Sequence, residues 1–440
     1  MKTNTKPRPK PVYTHEGART TRTSAEETLR RLTACCFLGE NQFYVDGQSI
    51  SKAILEATAK VSGEFARDWA IEVRSKWHMR HAPLMIICGM IRHHPEYVAK
   101  TIEGCIQRPD EMGELVNLYW QAGGNKHMLP RQMKRGLGRC FTKFDETQLS
   151  KWDSNNAQVS LRDVLFLSHA KPGKGQKALF KRIADNKLKT APTWESELSA
   201  GKDKAKVFTK LIKDKKLGGM ALIKNLRNME QAGVDRLIIK QAINNMGVAR
   251  ILPFRFISAA KYGPSFEPEL EEAMRRCVED KTPLEGRTAF LVDTSGSMNR
   301  PLSEKSDLNR YEAGFGLAMV LRWACADVDI YSFGSTGELA EVPPRQGFAL
   351  RDALNAVNFN GGTDINYAVT HVEAAAKYDR IIVITDEQSM SPVNSVNIKR
   401  AYMVNVASCE HGVGYKKPWQ HISGFSEGVL SYIREIENLD

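Results

Sequence analysis

From residue 24 to about residue 280, apolar positions recur at helical spacing and strand-like alternation is nearly absent. Ser24-Ala25-Glu26-Glu27 has the hydroxyl and the following carboxylate of a capping box, so a helix is expected to begin there. Further amphipathic stretches cover 53–61, 64–77, 83–92, 97–107, 111–121, 161–168, 175–184, 207–213, 220–229, 234–244 and 267–278. Breaks between them carry Gly, Pro or Asn, as at Gly123-Gly124-Asn125 and Leu129-Pro130. Helices joined by short turns, without a long heptad run, imply a bundle or an α-solenoid of helix pairs. No clear repeat period decides between the two.

Near Lys281-Thr282-Pro283-Leu284 the pattern changes. Strand-like runs at 288–292, 328–333, 381–385 and 401–406 alternate with helical patterns at 310–325, 349–357 and 365–377. That alternation predicts a parallel sheet with helices on both faces, a doubly wound α/β domain. A chain of 440 residues is expected to hold two or more domains. The division read here is a basic arm over 1–23, a helical domain over 24–284 and an α/β domain over 285–440. The arm is rich in Lys, Arg, Pro and Thr and is expected to be flexible, or to order on a partner.

Charge sharpens this division. From Glu285 onward there are 14 Lys+Arg and 20 Asp+Glu, a net −6, whereas the first 284 residues carry 49 basic and 31 acidic residues, a net +18. A basic part joined to an acidic part points to a polyanion as partner of the first, with nucleic acid the default. The eight cysteines form no C-x-x-C pair and sit mostly among apolar residues, as in Thr33-Ala34-Cys35-Cys36-Phe37. They read as buried thiols of a reducing compartment. The N-terminus lacks the apolar segment of a signal peptide, and no run is long enough to cross a bilayer. A soluble, cytoplasmic protein with no membrane partner is expected.

Candidate chemistry begins at Ala289-Phe290-Leu291-Val292-Asp293-Thr294-Ser295-Gly296-Ser297-Met298. Asp293, Ser295 and Ser297 alternate where a strand ends, so one carboxylate and two hydroxyls can converge as the chain curls through Gly296. An oxygen-only set of this kind suits Mg²⁺ or Mn²⁺. An N-cap Asp followed by two turn serines would leave the same trace. Two later stretches favour the metal. Asn360-Gly361-Gly362-Thr363-Asp364 is a Gly-rich loop bearing a hydroxyl, and Arg380-Ile381-Ile382-Val383-Ile384-Thr385-Asp386 is a buried-strand pattern ending in a carboxylate. In an open α/β sheet the carboxyl ends of the strands share one edge, where ligands bind.

These residues closely resemble a von Willebrand factor A domain with an intact metal-ion-dependent adhesion site, over roughly the last third of the chain. The resemblance implies that Asp293, Ser295, Ser297 and Thr363 surround a divalent cation and that Asp386 acts through water. It also implies that the metal accepts an acidic residue of a protein partner.

The helical part bears a second resemblance. Leu165-Phe166-Leu167-Ser168-His169-Ala170-Lys171-Pro172 is close to the Leu-Ser-His-x-Lys-Pro signature of the TROVE module of the Ro autoantigen family. The stretches 221–229 and 252–256 are similar to two others in that family. The order of the two domains is also the family's. The resemblance implies a closed ring of HEAT-like helical repeats. It further implies that single-stranded RNA ends enter a basic hole and that small structured RNAs of the Y-RNA type lie on an outer basic surface.

The residues support an RNA partner independently. Lys174, Lys177 and Lys181 fall on one helix face, as do Lys202, Lys206, Lys210 and Lys213, and Lys134, Arg135, Arg139 and Lys143 form a third cluster. Their chemistry is phosphate neutralisation without sequence readout. Any single cluster would better suit a solvated helix face, but several in one domain at +18 reverse that balance. His169, next to Lys171, can stack on or hydrogen-bond a nucleotide, or serve as a core or capping histidine. Where the family carries a compact basic run, this chain reads Lys151-Trp152-Asp153-Ser154-Asn155-Asn156-Ala157-Gln158 with one basic residue, so its outer surface is expected to take a different or less structured RNA.

The expectation is a non-enzymatic RNA-binding scaffold of the Ro type, acting in small-RNA binding and RNA quality control. Two rival classes are a hydrolase using the Asp293 metal and a von Willebrand A adaptor whose basic part binds an acidic protein. No nucleophile–base pair stands beside Asp293 in sequence, and the phosphate-binding motif G-x-x-x-x-G-K-[ST] is absent.

Overall fold

A computed structural model describes residues 11–20, 24–34, 47–126, 128–153, 157–189, 194–199, 201, 203–249, 251–279, 282–302, 306–407, 412–414, 416–426 and 428–437. The chain divides into two compact units. One comprises Met1–Arg31, Asn41–Val45 and Arg275–Asp440, and the other comprises Leu32–Glu40 and Asp46–Met274.

The first unit is built on six strands. They are β1 (Leu284–Asp293), β2 (Cys325–Phe333), β3 (Leu339–Val342), β4 (Arg380–Thr385), β5 (Arg400–Asn405) and β6 (Trp419–Ser423), in the order β3-β2-β1-β4-β5-β6. All neighbours pair parallel except β3, which returns antiparallel along β2. The last six residues of β1 and all six of β4 are buried, as strands covered on both faces must be. Ala289, Leu291, Ile381, Val383, Ala401 and Met403 pack on one side with Ile365, Ala368, Val369 and Val372 of the helix Ile365–Ala375. The helix Arg310–Ala324 is buried along most of its length against the same sheet, with Gly314 beside Ile384. The helices expected at 310–325, 349–357 and 365–377 are found at Arg310–Ala324, Gly347–Ala356 and Ile365–Ala375. Strands β3 and β6 were not expected. They are short edge strands with polar interruptions, so neither shows a sustained apolar period.

The expected free arm is corrected by the structure. Residues 12–20 form a small hairpin, with Thr20 N–H donating to Val12 O at 2.8 Å and a bridge between Tyr13 and Arg19. Ala18 is buried in the sheet's own apolar cluster. Residues 1–10 and 21–23 lie outside the described residues. The charge division changes with it. With Met1–Arg31 counted in, the sheet unit holds 25 basic and 25 acidic residues, and the helical unit holds 38 and 26. The whole net +12 therefore sits on the helical unit, and its partner unit is neutral rather than acidic.

The helical unit contains no strand among its described residues. Its helices near the expected positions include Gly63–Ser75, His81–His93, Pro95–Cys105, Asp110–Gln121, Leu161–Ser168 and Lys177–Ala184. The stretch read as one helix over 220–229 is two, Gly219–Lys224 and Leu226–Gln231. Arg131–Cys140, Glu146–Trp152, Trp194–Ser199 and Pro253–Tyr262 are further helices. Arg131–Cys140 packs on Pro95–Cys105 through Gly136, where an added Cβ would lie 2.8 Å from Ile102 Cβ and 3.0 Å from Ala99 O. Gly136 weakens the helical signal of this stretch, but it lets the two helices approach closely. Among the described residues, no helix is long and apolar enough to cross a membrane.

Candidate functional site

The carboxyl ends of β1 and β4 bring the five expected metal ligands to one edge of the sheet. Asp293 ends β1 and is fully buried. Its Oδ1 accepts from Ser295 N–H at 2.9 Å, and its Oδ2 accepts from Thr385 Oγ1 at 2.5 Å. Ser295 and Ser297 stand with their hydroxyl oxygens 3.2 Å apart. Gly296 N–H donates to Gly361 O at 2.6 Å, and a Cβ on Gly296 would lie 3.1 Å from Asn360 O. Glycine at 296 thus lets the two loops touch. Asn360, at φ +54°, donates its N–H to Thr294 O at 2.8 Å, and Met390 N–H donates to Thr363 O at 2.7 Å. Asp386 follows β4 and accepts from Gln388 N–H at 3.2 Å.

Three features of this edge suit a hard divalent cation. Asp293 and Asp386 are both fully buried. Burial first, and then the neighbouring Asp386 carboxylate, push Asp293 up to about 7. The Oγ1 of Thr363, on a residue with no exposed surface, has no hydrogen-bond partner among the described residues. A buried hydroxyl without a partner and two unexposed carboxylates together are what a cation would satisfy. Two carboxylates are fewer than a cluster of three His, Cys, Asp or Glu, and no such cluster that could hold a metal occurs among the described residues, so the hydroxyls would have to complete the set here.

Sequence reading missed two cationic neighbours. Buried Arg310 holds Nη1 3.5 Å from Asp386 Oδ2 and 3.5 Å from Ser297 O. One of the two carboxylates therefore already faces a guanidinium. Glu387, the next residue, is in the left-handed region at φ +58° and fully buried. It pairs with buried Arg31 at 2.8 Å and lies 3.3 Å from His421 Nδ1. The helix Ala25–Ala34 supplies Arg31, and the hairpin before it docks on the same segment. Thr14 Oγ1 donates to Ser389 O at 2.7 Å, and His15 N–H donates to Gln388 Oε1 at 2.8 Å. His15 and Glu16 at the hairpin tip line a cavity of about 430 Å³ together with Gly296, Ser297, Asn299 and Arg300. Nothing periodic marks residues 12–20 as part of this site.

On the helical unit the basic clusters separate into two kinds. Lys171, Lys174, Lys177 and Lys181 are all exposed along one continuous stretch. In the other cluster, Arg139 pairs with Glu103 at 2.8 Å, and Lys143 donates through Nζ to the carbonyls of Glu103 and Ile106 at the end of the preceding helix. Those two groups tie helices together and compensate the carbonyl end of Pro95–Cys105. Lys134 is half-buried and Arg135 exposed. Lys206, Lys210 and Lys213 lie on the helix Lys204–Lys213, while Lys202 lies outside the described residues. His169 does cap a helix, but through its backbone: at φ +52° its N–H donates to Phe166 O at 3.2 Å, while the residue as a whole is exposed.

Comparison with known proteins finds two domain families along the chain. Residues 181–301 match the TROVE domain, and residues 288–388 match the von Willebrand factor type A domain. The TROVE match runs through β1 and the Asp293–Ser297 turn, beyond the boundary near 284 expected from sequence. Over 125 residues, 27% of this chain, the sequence is 30% identical to telomerase protein component 1 of Mus musculus, and it spans 5% of that protein's length. The fold is similar to that of the Deinococcus radiodurans RO (RSR) protein, with a TM-score of 0.58 and 15% identity over 93% of this chain and 98% of that one. The chain thus carries a TROVE domain followed by a von Willebrand factor type A domain, in the fold of a Ro protein.

Proposed function

We propose that this protein is an RNA-binding ribonucleoprotein scaffold. Its helical unit takes small non-coding RNAs of the Y-RNA type and single-stranded RNA ends, and its sheet unit docks a protein partner through a divalent metal. The observation that carries the RNA reading is the confinement of the whole net +12 to the helical unit, which contains the exposed run Lys171, Lys174, Lys177 and Lys181. Lysines that neutralise phosphates release counterions, so affinity depends on salt and little on sequence. The TROVE match from residue 181 supports the same assignment.

Asp293, Ser295, Ser297 and Thr363 would hold Mg²⁺ or Mn²⁺, with Asp386 acting through water. When bound, such a cation supplies an electrophilic point for one more oxygen ligand. With Arg310 beside Asp386, the formal charge of the protein groups is −1, so a divalent cation leaves a net positive site. An acidic residue of a partner protein fits that charge.

The test is a salt-dependent titration of the full chain with a small structured RNA bearing a single-stranded end, alongside calorimetry with Mg²⁺ and Mn²⁺. Replacing Lys174, Lys177 and Lys181 together by Gln should weaken RNA binding across sequences and flatten the salt slope by about three. Asp293→Ala should abolish metal binding and leave RNA affinity within about twofold, since the two sites lie on separate units. A salt-independent RNA affinity would refute the first assignment, and equal metal binding by wild type and Asp293→Ala the second.

A further inference from the structure

The helix Leu161–Ser168 buries Leu161, Val164, Leu165 and Ser168. That is the i, i+3, i+4, i+7 stripe of a helix seated on a core. Phe166 falls off this stripe and is 54% exposed. A single exposed aromatic needs no explanation by itself, but its neighbours change its meaning. Phe166 lines a cavity of about 420 Å³ with Trp120, Lys126, Met128, Lys134 and His169. Met128 is 61% exposed, so the apolar surface is presented rather than packed. The indole N–H of Trp120 is buried and meets no acceptor among the described residues, although buried Trp N–H groups ordinarily find one.

The charges around the cavity are one-sided. Neither Lys126 nor Lys134 forms an ion pair with a described residue. Asp163 is the one carboxylate on the wall, and its Oδ2 is taken up by the N–H and hydroxyl of Ser160, at 3.0 and 2.7 Å. Arg162, which does not line the cavity, places its guanidinium 5.4 Å from the centroid of the Phe166 ring while its Nε donates to Ala184 O at 2.8 Å. With the guanidinium beside its ring, Phe166 still keeps 54% of its surface exposed. An aromatic platform, an unused donor and a cationic rim match an unpaired nucleotide: a flat apolar face, acceptor oxygens and a negative phosphate. The volume lies within the range of small-ligand pockets.

We propose that this cavity is a stacking site for one unpaired nucleotide of single-stranded RNA. The base lies against Phe166, an acceptor oxygen of the nucleotide takes the Trp120 N–H, and Lys126 and Lys134 neutralise the adjoining phosphates. This rests on the RNA-binding reading and adds to it the place where single-strand recognition happens. His169, at the end of the same helix, borders the site.

The experiment measures binding of a labelled single-stranded RNA 8-mer and of a blunt RNA duplex to the full chain, by fluorescence anisotropy. Phe166→Ala should lower affinity for the 8-mer by roughly 5- to 150-fold, the range for one lost base–aromatic stack, and leave the duplex unchanged. Phe166→Leu, which keeps an apolar side chain but removes the π face, should lose as much, and Phe166→Trp should retain wild-type affinity. Trp120→Phe should lose roughly 2- to 12-fold, for one hydrogen bond. Phe166 is exposed, so its variants should melt with the wild type. If wild type binds the 8-mer and Phe166→Ala and Phe166→Leu bind it equally well, the stacking site is overturned while the RNA reading stands. If wild type binds neither RNA, the RNA reading falls and takes the site with it. Displacement of the 8-mer by poly-glutamate of equal charge would assign the cavity to an acidic protein instead, overturning the proposal.

Discussion

The unpaired hydroxyl of Thr363 allows metal binding and stability to be separated in one substitution. Thr363 has no exposed surface, its backbone oxygen accepts from Met390 N–H, and its Oγ1 has no partner among the described residues. A buried hydroxyl left unsatisfied costs about 1–3 kcal/mol. Thr363→Val keeps the β-branched shape and removes that hydroxyl. In metal-free buffer the variant should therefore be more stable by about 1–3 kcal/mol. For a unit of this size, that raises its melting temperature by roughly 2–12 °C. Metal should reverse the order. A ligand present at a hundred times its dissociation constant stabilises by about 2.7 kcal/mol, and the variant, lacking one ligand oxygen, should gain much less from the same Mg²⁺. The assay is differential scanning calorimetry of wild type and Thr363→Val, in EDTA and across a Mg²⁺ series, following the transition of the sheet unit. A variant less stable than wild type in EDTA would refute the claim that the hydroxyl is unsatisfied. An equal Mg²⁺-dependent shift in both proteins would refute its role as a ligand.

Arg31→Met should destabilise the sheet unit by about 3–5 kcal/mol, because it takes the guanidinium from the fully buried Glu387 carboxylate and leaves it the His421 ring, and Arg31→Met with Glu387→Gln should recover most of the loss; calorimetry of the single and double variants checks this, and unchanged melting in Arg31→Met would refute it. Glu437 accepts from buried Arg380 at 2.6 Å and from Tyr402 at 2.9 Å, and although burial pushes its carboxyl up, the Arg380 guanidinium outweighs this and holds it below the usual carboxylate range. A depressed folded pKa gives stability that is present above the unfolded value of about 4.3 and lost as pH falls through the folded one. Glu437→Gln should thus flatten the acid limb of the stability curve, and identical limbs would contradict the pairing. Gly136→Ala places a Cβ 2.8 Å from Ile102 Cβ and should destabilise the helical unit by about 1–3 kcal/mol in urea unfolding, and a neutral result would show that the two helices can separate freely.

Much of the sheet unit could be read from one dimension. Strands β1, β4 and β5 are apolar runs of strand length, and Asp293 and Asp386, at the ends of β1 and β4, mark the edge where the proposed metal site lies. Asp293, Ser295 and Ser297 need only their own alternation to converge, and the Gly-rich loop around Thr363 announces a close approach. Most helices of the other unit were equally legible, because a helix is stabilised by residues three and four apart and leaves that period in the sequence.

Long-range pairing alone decided the rest. Residues 12–20 belong to a segment, 1–23, with the composition of a loose basic arm, yet Thr14 meets Ser389 across 375 positions, and Arg31 meets Glu387 across 356. No local pattern encodes such partners, since the free energy of a buried ion pair or a docked hairpin resides in what is brought to it. The same holds for the basic clusters. Arg139 and Lys143 look like Lys177 and Lys181 in sequence, but Glu103 and the carbonyls beside it take up the first two, while the second two face solvent. Residue type and spacing determined which groups could bind a phosphate or a metal; the tertiary fold, by supplying or withholding a counter-charge, decided which of them are left to do so.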